Sequence, residues 1–241
     1  DDGSCLTVYG CTDSTACNYN SSATCDDGSC LTVFGCTDST ALNYNIFSSC
    51  NDGSCIYLAS DLFISEYAEG SGYNKYIEIY NGTGSPVNLS TYQIWKITNG
   101  GNWPEDTLNL NGILAHDDIY IIYHSNADSL IVLAGDITWT QANWNGNDAV
   151  GLAKNGILID ALGSDGPNPG SGGWDVAGIT NATKDHTLVR KCSVIIGDTN
   201  WVLSAGSDSI SSQWLVLLQN DWMDLGNHTY PCSGATIYGC M

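Results

Sequence analysis

The sequence predicts an all-β chain, an antiparallel β-sandwich preceded by small, disulfide-stapled, loop-rich repeats. Three observations predict it. A cysteine-bearing unit recurs with a strict spacing of 25 residues over the first 60 positions. From Asp61 onward short apolar or alternating runs are separated by Gly, Asn, Asp and Pro clusters. No long segment carries the 3.6-residue period of an amphipathic helix. Residues 1–60 hold eight of the eleven cysteines and no Lys or Arg, whereas the rest is rich in Val, Ile, Leu, Tyr and Trp, so a boundary falls near Ala59–Ser60.

The repeats come first. Asp1-Asp2-Gly3-Ser4-Cys5 returns as Asp26-Asp27-Gly28-Ser29-Cys30 and as Asn51-Asp52-Gly53-Ser54-Cys55, and Gly10-Cys11-Thr12-Asp13 returns as Gly35-Cys36-Thr37-Asp38. Ala235-Thr236-Ile237-Tyr238-Gly239-Cys240 resembles the connector Leu6-Thr7-Val8-Tyr9-Gly10-Cys11, so the chain reads as a window of a longer array. The expected organisation is a repeat tail and connector at 1–10, repeats at 11–35 and 36–59, a sandwich at 60–232, and a connector with the start of a further repeat at 233–241.

Units this small cannot bury enough apolar surface to fold without cross-links or metal. Four cysteines per unit allow three pairings. The nested scheme pairs Cys11 with Cys30, Cys17 with Cys25, and Cys36 with Cys55. Leu42 stands at the counterpart of Cys17, which leaves Cys50 without a local partner. Cys5 and Cys240 would pair outside the window, and Cys192 with Cys232 would staple the sandwich. A competing scheme closes the connectors, Cys5 with Cys11 and Cys30 with Cys36. Either scheme implies an oxidising compartment, so the chain is expected to be secreted or on a cell surface.

Net charge of −20 with only six basic residues argues against nucleic-acid binding and anionic membranes, and no membrane-inserting stretch is visible. Divalent cations are the more natural partner. Asp13, Asn18, Asn20, Asp26 and Asp27, with Asp38, Asn43, Asn45 and Asp52 in the second unit, crowd oxygen ligands of the kind calcium takes. The spacing is not that of an EF-hand loop, and the competing reading makes these Asx residues turn-formers.

In the larger region the clearest strand candidates are Leu62–Tyr67, Tyr76–Tyr80, Tyr92–Ile97, Asp118–Tyr123, Ala149–Lys154, Ile157–Leu162, His186–Lys191 and Trp214–Leu218. Asn81-Gly82, Asn99-Gly100-Gly101, Asn111-Gly112 and Asn155-Gly156 separate them with residues that accept positive φ. Lys154-Asn155-Gly156-Ile157 reads as a hairpin tip.

These residues carry two resemblances. The units at 1–58 and 235–241, with their Gly-Cys-Thr-Asp, Asn-Tyr-Asn and Asp-Asp-Gly-Ser-Cys motifs, resemble short repeats of large secreted and surface proteins of Bacteroidota. That resemblance implies a spacer and supplies no catalytic residue. Leu62-Phe63-Ile64-Ser65-Glu66-Tyr67, Tyr76-Ile77-Glu78-Ile79-Tyr80-Asn81-Gly82, Asn143-Trp144-Asn145-Gly146-Asn147-Asp148, Asp185-His186-Thr187-Leu188 and Trp214-Leu215-Val216-Leu217 together resemble a lamin-tail domain over about residues 61–230. The resemblance implies an immunoglobulin-like sandwich serving as an accessory module.

Enzymatic constellations are weak. Glu66 and Glu78 could be imagined as an acid and base pair, but one carboxylate per strand is ordinary for a half-exposed sheet. His116, His124, His186 and His228 lack metal spacing, and neither a Gly-x-Ser-x-Gly elbow nor a phosphate loop occurs. Trp95, Trp103, Trp139, Trp144 and Trp174 lie in or near Gly/Asn-rich stretches. Trp144 and Trp174 are the candidates for stacking on sugar rings, against the reading that large aromatics plug the core. Asp-Ser/Thr motifs resembling bacterial O-glycosylation sites mark Ser14, Ser39, Thr107, Ser129 and Ser209.

The expected function is therefore non-catalytic: a structural or adhesive segment of a long secreted or cell-surface repeat protein, such as an adhesin, stalk or filament. Its partners would be neighbouring modules of the array, its own copies in a fibre, or a glycan. The alternative is a carbohydrate-binding accessory module of a secreted hydrolase.

Overall fold

Chain proximity divides the molecule after Leu58 into two units, and the computed structural model describes residues 7–228. The first unit has almost no conventional core. Its buried apolar residues are Cys11, Ala16, Cys36, Ala41 and Cys50, while Phe47 is 82 % exposed. Sulfur and small side chains occupy the interior because each repeat closes around its cross-links rather than around branched aliphatics.

Each repeat carries one small parallel ladder. Strand β1 (Tyr9–Gly10) pairs with β2 (Cys25–Asp26), and β3 (Phe34–Gly35) pairs with β4 (Cys50–Asn51) in the same register. The Val8 carbonyl accepts from the amides of Thr24 and Cys25, and the Val33 carbonyl accepts from those of Ser49 and Cys50. The two repeats are thus the same fold twice, set by the same residues.

The second unit is a β-sandwich. One sheet contains β5 (Phe63–Glu69), β6 (Lys75–Tyr80), β11 (Ile119–Tyr123), β12 (Ile137–Thr138), β15 (His186–Arg190) and β16 (Trp214–Leu218), in the order β12-β11-β6-β5-β15-β16. The other contains β8 (Tyr92–Ile97), β9 (Asp106–Asn109), β13 (Ala149–Lys154) and β14 (Ile157–Leu162), in the order β14-β13-β8-β9. A two-residue ladder joins β7 (Val87–Asn88) to β10 (Ile113–Leu114). All ladders are antiparallel except β11 with β12. The eight expected strands are all present, within a residue or two of their expected ends. The short strands β7, β9, β10 and β12 were not expected, nor were two short helices, α1 (Ser129–Ala134) and α2 (Trp201–Ala205). Asp128 and Asn200 cap those helices by accepting from Leu130 and Leu203 amides, which is why turns of so few residues form.

Ile64, Tyr67, Ile77, Ile94, Leu152 and Trp214 meet between the sheets in one core. Asn155 and Gly156 both have positive φ, 51° and 76°, as the two-residue turn between β13 and β14 requires. In β5 the alternation breaks. A register shift between Ile64 and Glu66 makes a bulge, so Ile64 and Tyr67 both enter the core while the Ser65 and Glu66 side chains bond on the opposite face. That outer face is itself covered, by Ile131 of α1 and by Trp222 and Leu225, which bury Tyr76 and Ile121.

One fully buried ion pair fastens the sheets. Arg190 of β15 donates to Asp160 of β14 at 2.5 Å, and neither side chain is exposed. The other Asp160 contacts are backbone amides of Ile64, Ala161 and Asp198, while Arg190 also donates to the Ile64 carbonyl, Ser204 and Gln213 and lies 3.9 Å over the Trp214 ring.

Candidate functional site

The repeat joint is the part of this molecule built most specifically. Three disulfides define it: Cys11–Cys30, Cys36–Cys55 and Cys17–Cys50. The first two close the repeats individually. The third corrects the nested expectation, because Cys17 bonds to the following repeat instead of to Cys25, and Cys50 is neither unpaired nor external. Among the described cysteines Cys25 is the free thiol. The connector-closing scheme is also excluded for Cys30 and Cys36, which are spent on the outer bridges.

The physical reason lies in the connector. Asn18 binds it from both sides, donating to the Ser29 carbonyl at 2.6 Å and accepting from the Leu31 amide at 2.8 Å. The Cys17 amide donates to the Leu31 carbonyl at 3.1 Å, and the Cys50 sulfur lies 3.1 Å from that same oxygen. Cys17 is thereby delivered to the mouth of the next repeat. The sequence did hold a signal for this: position 42 lost its cysteine while Cys50 kept its own, and partners within one module would be expected to vanish together.

The Asx residues proposed for calcium serve the turns of the same joint. Asp13 accepts from the Thr15 amide and hydroxyl, Asn20 from Ser22, Asp26 from Gly28 and Asp27 from Ser29. The second repeat repeats the pattern with Asp38 on Thr40, Asn45 on Phe47, Asp52 on Ser54, and Asn43 between the Ser54 carbonyl and the Ile56 amide. These bonds hold the carboxyls of Asp13, Asp27, Asp38 and Asp52 below the usual carboxylate range. Among the described residues no group of three His, Cys, Asp or Glu side chains is placed to hold a metal ion.

The sandwich places the other candidates apart from one another. Trp144, a candidate for stacking on sugar, instead follows the core reading and is fully buried: its indole N–H donates to the Ala68 carbonyl at 2.8 Å and its ring stacks on Tyr67. Of the flanking polar residues, Asn143 is exposed and accepts from the buried Lys96, while Asn147 is buried and donates to Asn99 and Asn168. Trp174 is half-buried and packs edge-on against Trp201. Ser14, Ser39, Thr107, Ser129 and Ser209 are all exposed. Cys192 is disulfide-bonded, and Cys5, Cys232 and Cys240 lie outside the described residues.

Glu66 and Glu78 do face each other across β5 and β6, but in a sealed setting. Glu66 accepts from the Tyr76 hydroxyl, and Glu78 accepts from the Ser65 hydroxyl and the Gly226 amide, at 2.6 and 3.0 Å. Burial pushes the Glu78 carboxyl up to about 7, and burial together with the Glu78 charge raises Glu66 well above its ordinary value. A native carboxyl that binds its proton more tightly than the unfolded one stabilises the fold at low pH and loses that contribution as pH rises. For Glu78 the loss spans from about 4.5, its ordinary value, to about 7. Burial lowers His228 to about 4, so its effect runs in the opposite direction, rising up to its ordinary 6.5. Denaturant unfolding should show the natural protein losing stability relative to Glu78→Gln as pH rises from about 4.5 to about 7; parallel profiles for the two proteins would refute the account.

Residues 57–166 match the family model of the lamin tail domain. The match spans β5 to β14, and the structure completes the larger sheet beyond it with β15 and β16. No curated protein matches the chain.

Proposed function

Because its larger unit is built on a lamin tail domain, an immunoglobulin-like structural module, we propose that this chain is a non-catalytic structural segment of a long secreted or cell-surface repeat protein, an adhesin, stalk or filament. The repeats serve as stiff connectors and the sandwich offers the lateral contact surface. The observation that carries this reading is the Cys17–Cys50 bridge, which fixes one repeat to the next across their connector. Three disulfides suit an oxidising, extracytoplasmic setting, and among the described residues no helix is long and apolar enough to cross a membrane. The exposed Ser14 and Ser39, at the same place in both repeats, are proposed glycan carriers.

The reading has a mechanical test. Pulled by its ends under oxidising conditions, the chain should show no extension step from the repeats. After reduction, residues 11–55 should add contour length at roughly 3.5 Å per residue. A low-force step from the repeats while the disulfides are intact would count against a connector role. The carbohydrate-binding alternative retains only Trp174 of its two aromatics.

A further inference from the structure

Cys25 and Cys50 occupy the same position in successive repeats, yet one is a free, half-buried thiol and the other is bonded and 2 % exposed. Their surroundings match closely. Cys25 pairs with Tyr9 as Cys50 pairs with Phe34, and their amides bond to Val8 and Val33 at 3.2 and 3.0 Å. The structure thus shows the Cys25 site twice, once empty of a partner and once with its partner seated. In the occupied copy that partner is Cys17, presented by the preceding repeat.

We propose that Cys25 is the receiving end of an inter-repeat disulfide, and that its partner is another repeat of this type presenting an unpaired cysteine at the position of Cys17. Within this chain the only such cysteine is consumed by Cys50, so the partner is a further repeat. The bond is directional. Each repeat gives a sulfur from its Cys17 position to the one that follows and receives at its Cys25 position from the one before. Leu42 then has a clear meaning: the second repeat is followed by a sandwich that offers no receiving repeat, and its donor position, 62 % exposed, carries no sulfur. Forming the bond removes one proton and one electron from each thiol. A small-molecule disulfide such as oxidised glutathione takes up both pairs and leaves as two thiols.

This inference rests on the connector reading, but each fails separately. Repeats that closed one by one could still resist force, and a directional bond could form in a compliant array. The test lengthens the full chain by a second in-frame copy of residues 11–35, placed directly before Cys36, followed by oxidation with glutathione, maleimide labelling and non-reducing peptide mapping. In that chain the copy next to Cys36 bonds to Cys50. The expected result is a new disulfide from the Cys17 position of the first copy to the Cys25 position of the second, with the maleimide label lost there and found at the Cys25 position of the first copy. A disulfide joining the Cys17 and Cys25 positions inside one copy would overturn the proposal, as would continued labelling of the second copy's receiving cysteine. Cys50→Ser in the natural-length chain gives an independent reading. Cys17 and Cys25 should then both take the label, whereas a Cys17–Cys25 bond would show that a repeat closes on itself and refute the directional rule.

Discussion

Arg190→Met is expected to destabilise the sandwich by about 3–5 kcal/mol, the range for removing one partner of a buried ion pair. The change fills the same volume with an apolar side chain, so the loss is electrostatic more than steric. Asp160 would be left without its cationic partner and sealed from water, with three backbone amides as its remaining partners. The Ile64 carbonyl, Ser204 and Gln213 would each lose a donor at once. Adding Asp160→Asn should recover only part of the loss, because an amide NH₂ would face N–H groups where a carboxylate oxygen now accepts. Denaturant midpoints for the single and double variants measure both effects, and a single-variant loss under about 1 kcal/mol would show that the pair is better solvated than its burial implies.

Reduction of the disulfides is expected to unfold the first unit while leaving the sandwich intact. Each bridge closes a loop of 19 to 33 residues and contributes about 3–4 kcal/mol by the chain-entropy relation. Nothing in the repeats replaces that, since their interior consists of cysteines and alanines. The sandwich has its own core of aliphatic and aromatic side chains between two sheets. Hydrogen exchange with and without dithiothreitol should show protection lost at the amides of Asn20, Cys25, Asn45 and Cys50 and kept in β5, β6 and β13. Retained protection at Cys25 and Cys50 after reduction would mean that the turn network alone holds the repeats.

Most of the sandwich was legible because strand patterning is local. Runs such as Tyr76–Tyr80 and Ala149–Lys154 announce themselves by composition, and Asn155-Gly156 fixes its hairpin by backbone chirality. The strands β7 and β10 were not legible, since two residues at an edge carry no period. The Ser65–Glu66 bulge was hidden for a related reason: a one-residue insertion is defined by the partner strand. For Trp144 the Asn- and Gly-rich setting left a sugar-stacking and a core reading both open, and the ring proves buried although the polar neighbours Asn143, Asn99 and Asn168 around it are exposed. The nested pairing holds for Cys11–Cys30 and Cys36–Cys55 and fails only for Cys17, at the assumption that every bridge stays within one module. Cysteine spacing gives loop lengths, and the direction in which Asn18 folds the connector decides which sulfurs meet.

The overlap of the three bridges has one more effect. Loops 11–30, 17–50 and 36–55 leave no peptide bond between Cys11 and Cys55 outside at least one ring. A protease that cuts this stretch once, at the exposed Phe47 or anywhere in the connector at Leu31–Gly35, nicks the backbone without parting the molecule. Without Cys17–Cys50, a single cut between Cys30 and Cys36 would separate everything on one side from everything on the other. In the proposed connector role, that bridge would keep the load path continuous after the backbone itself has been broken.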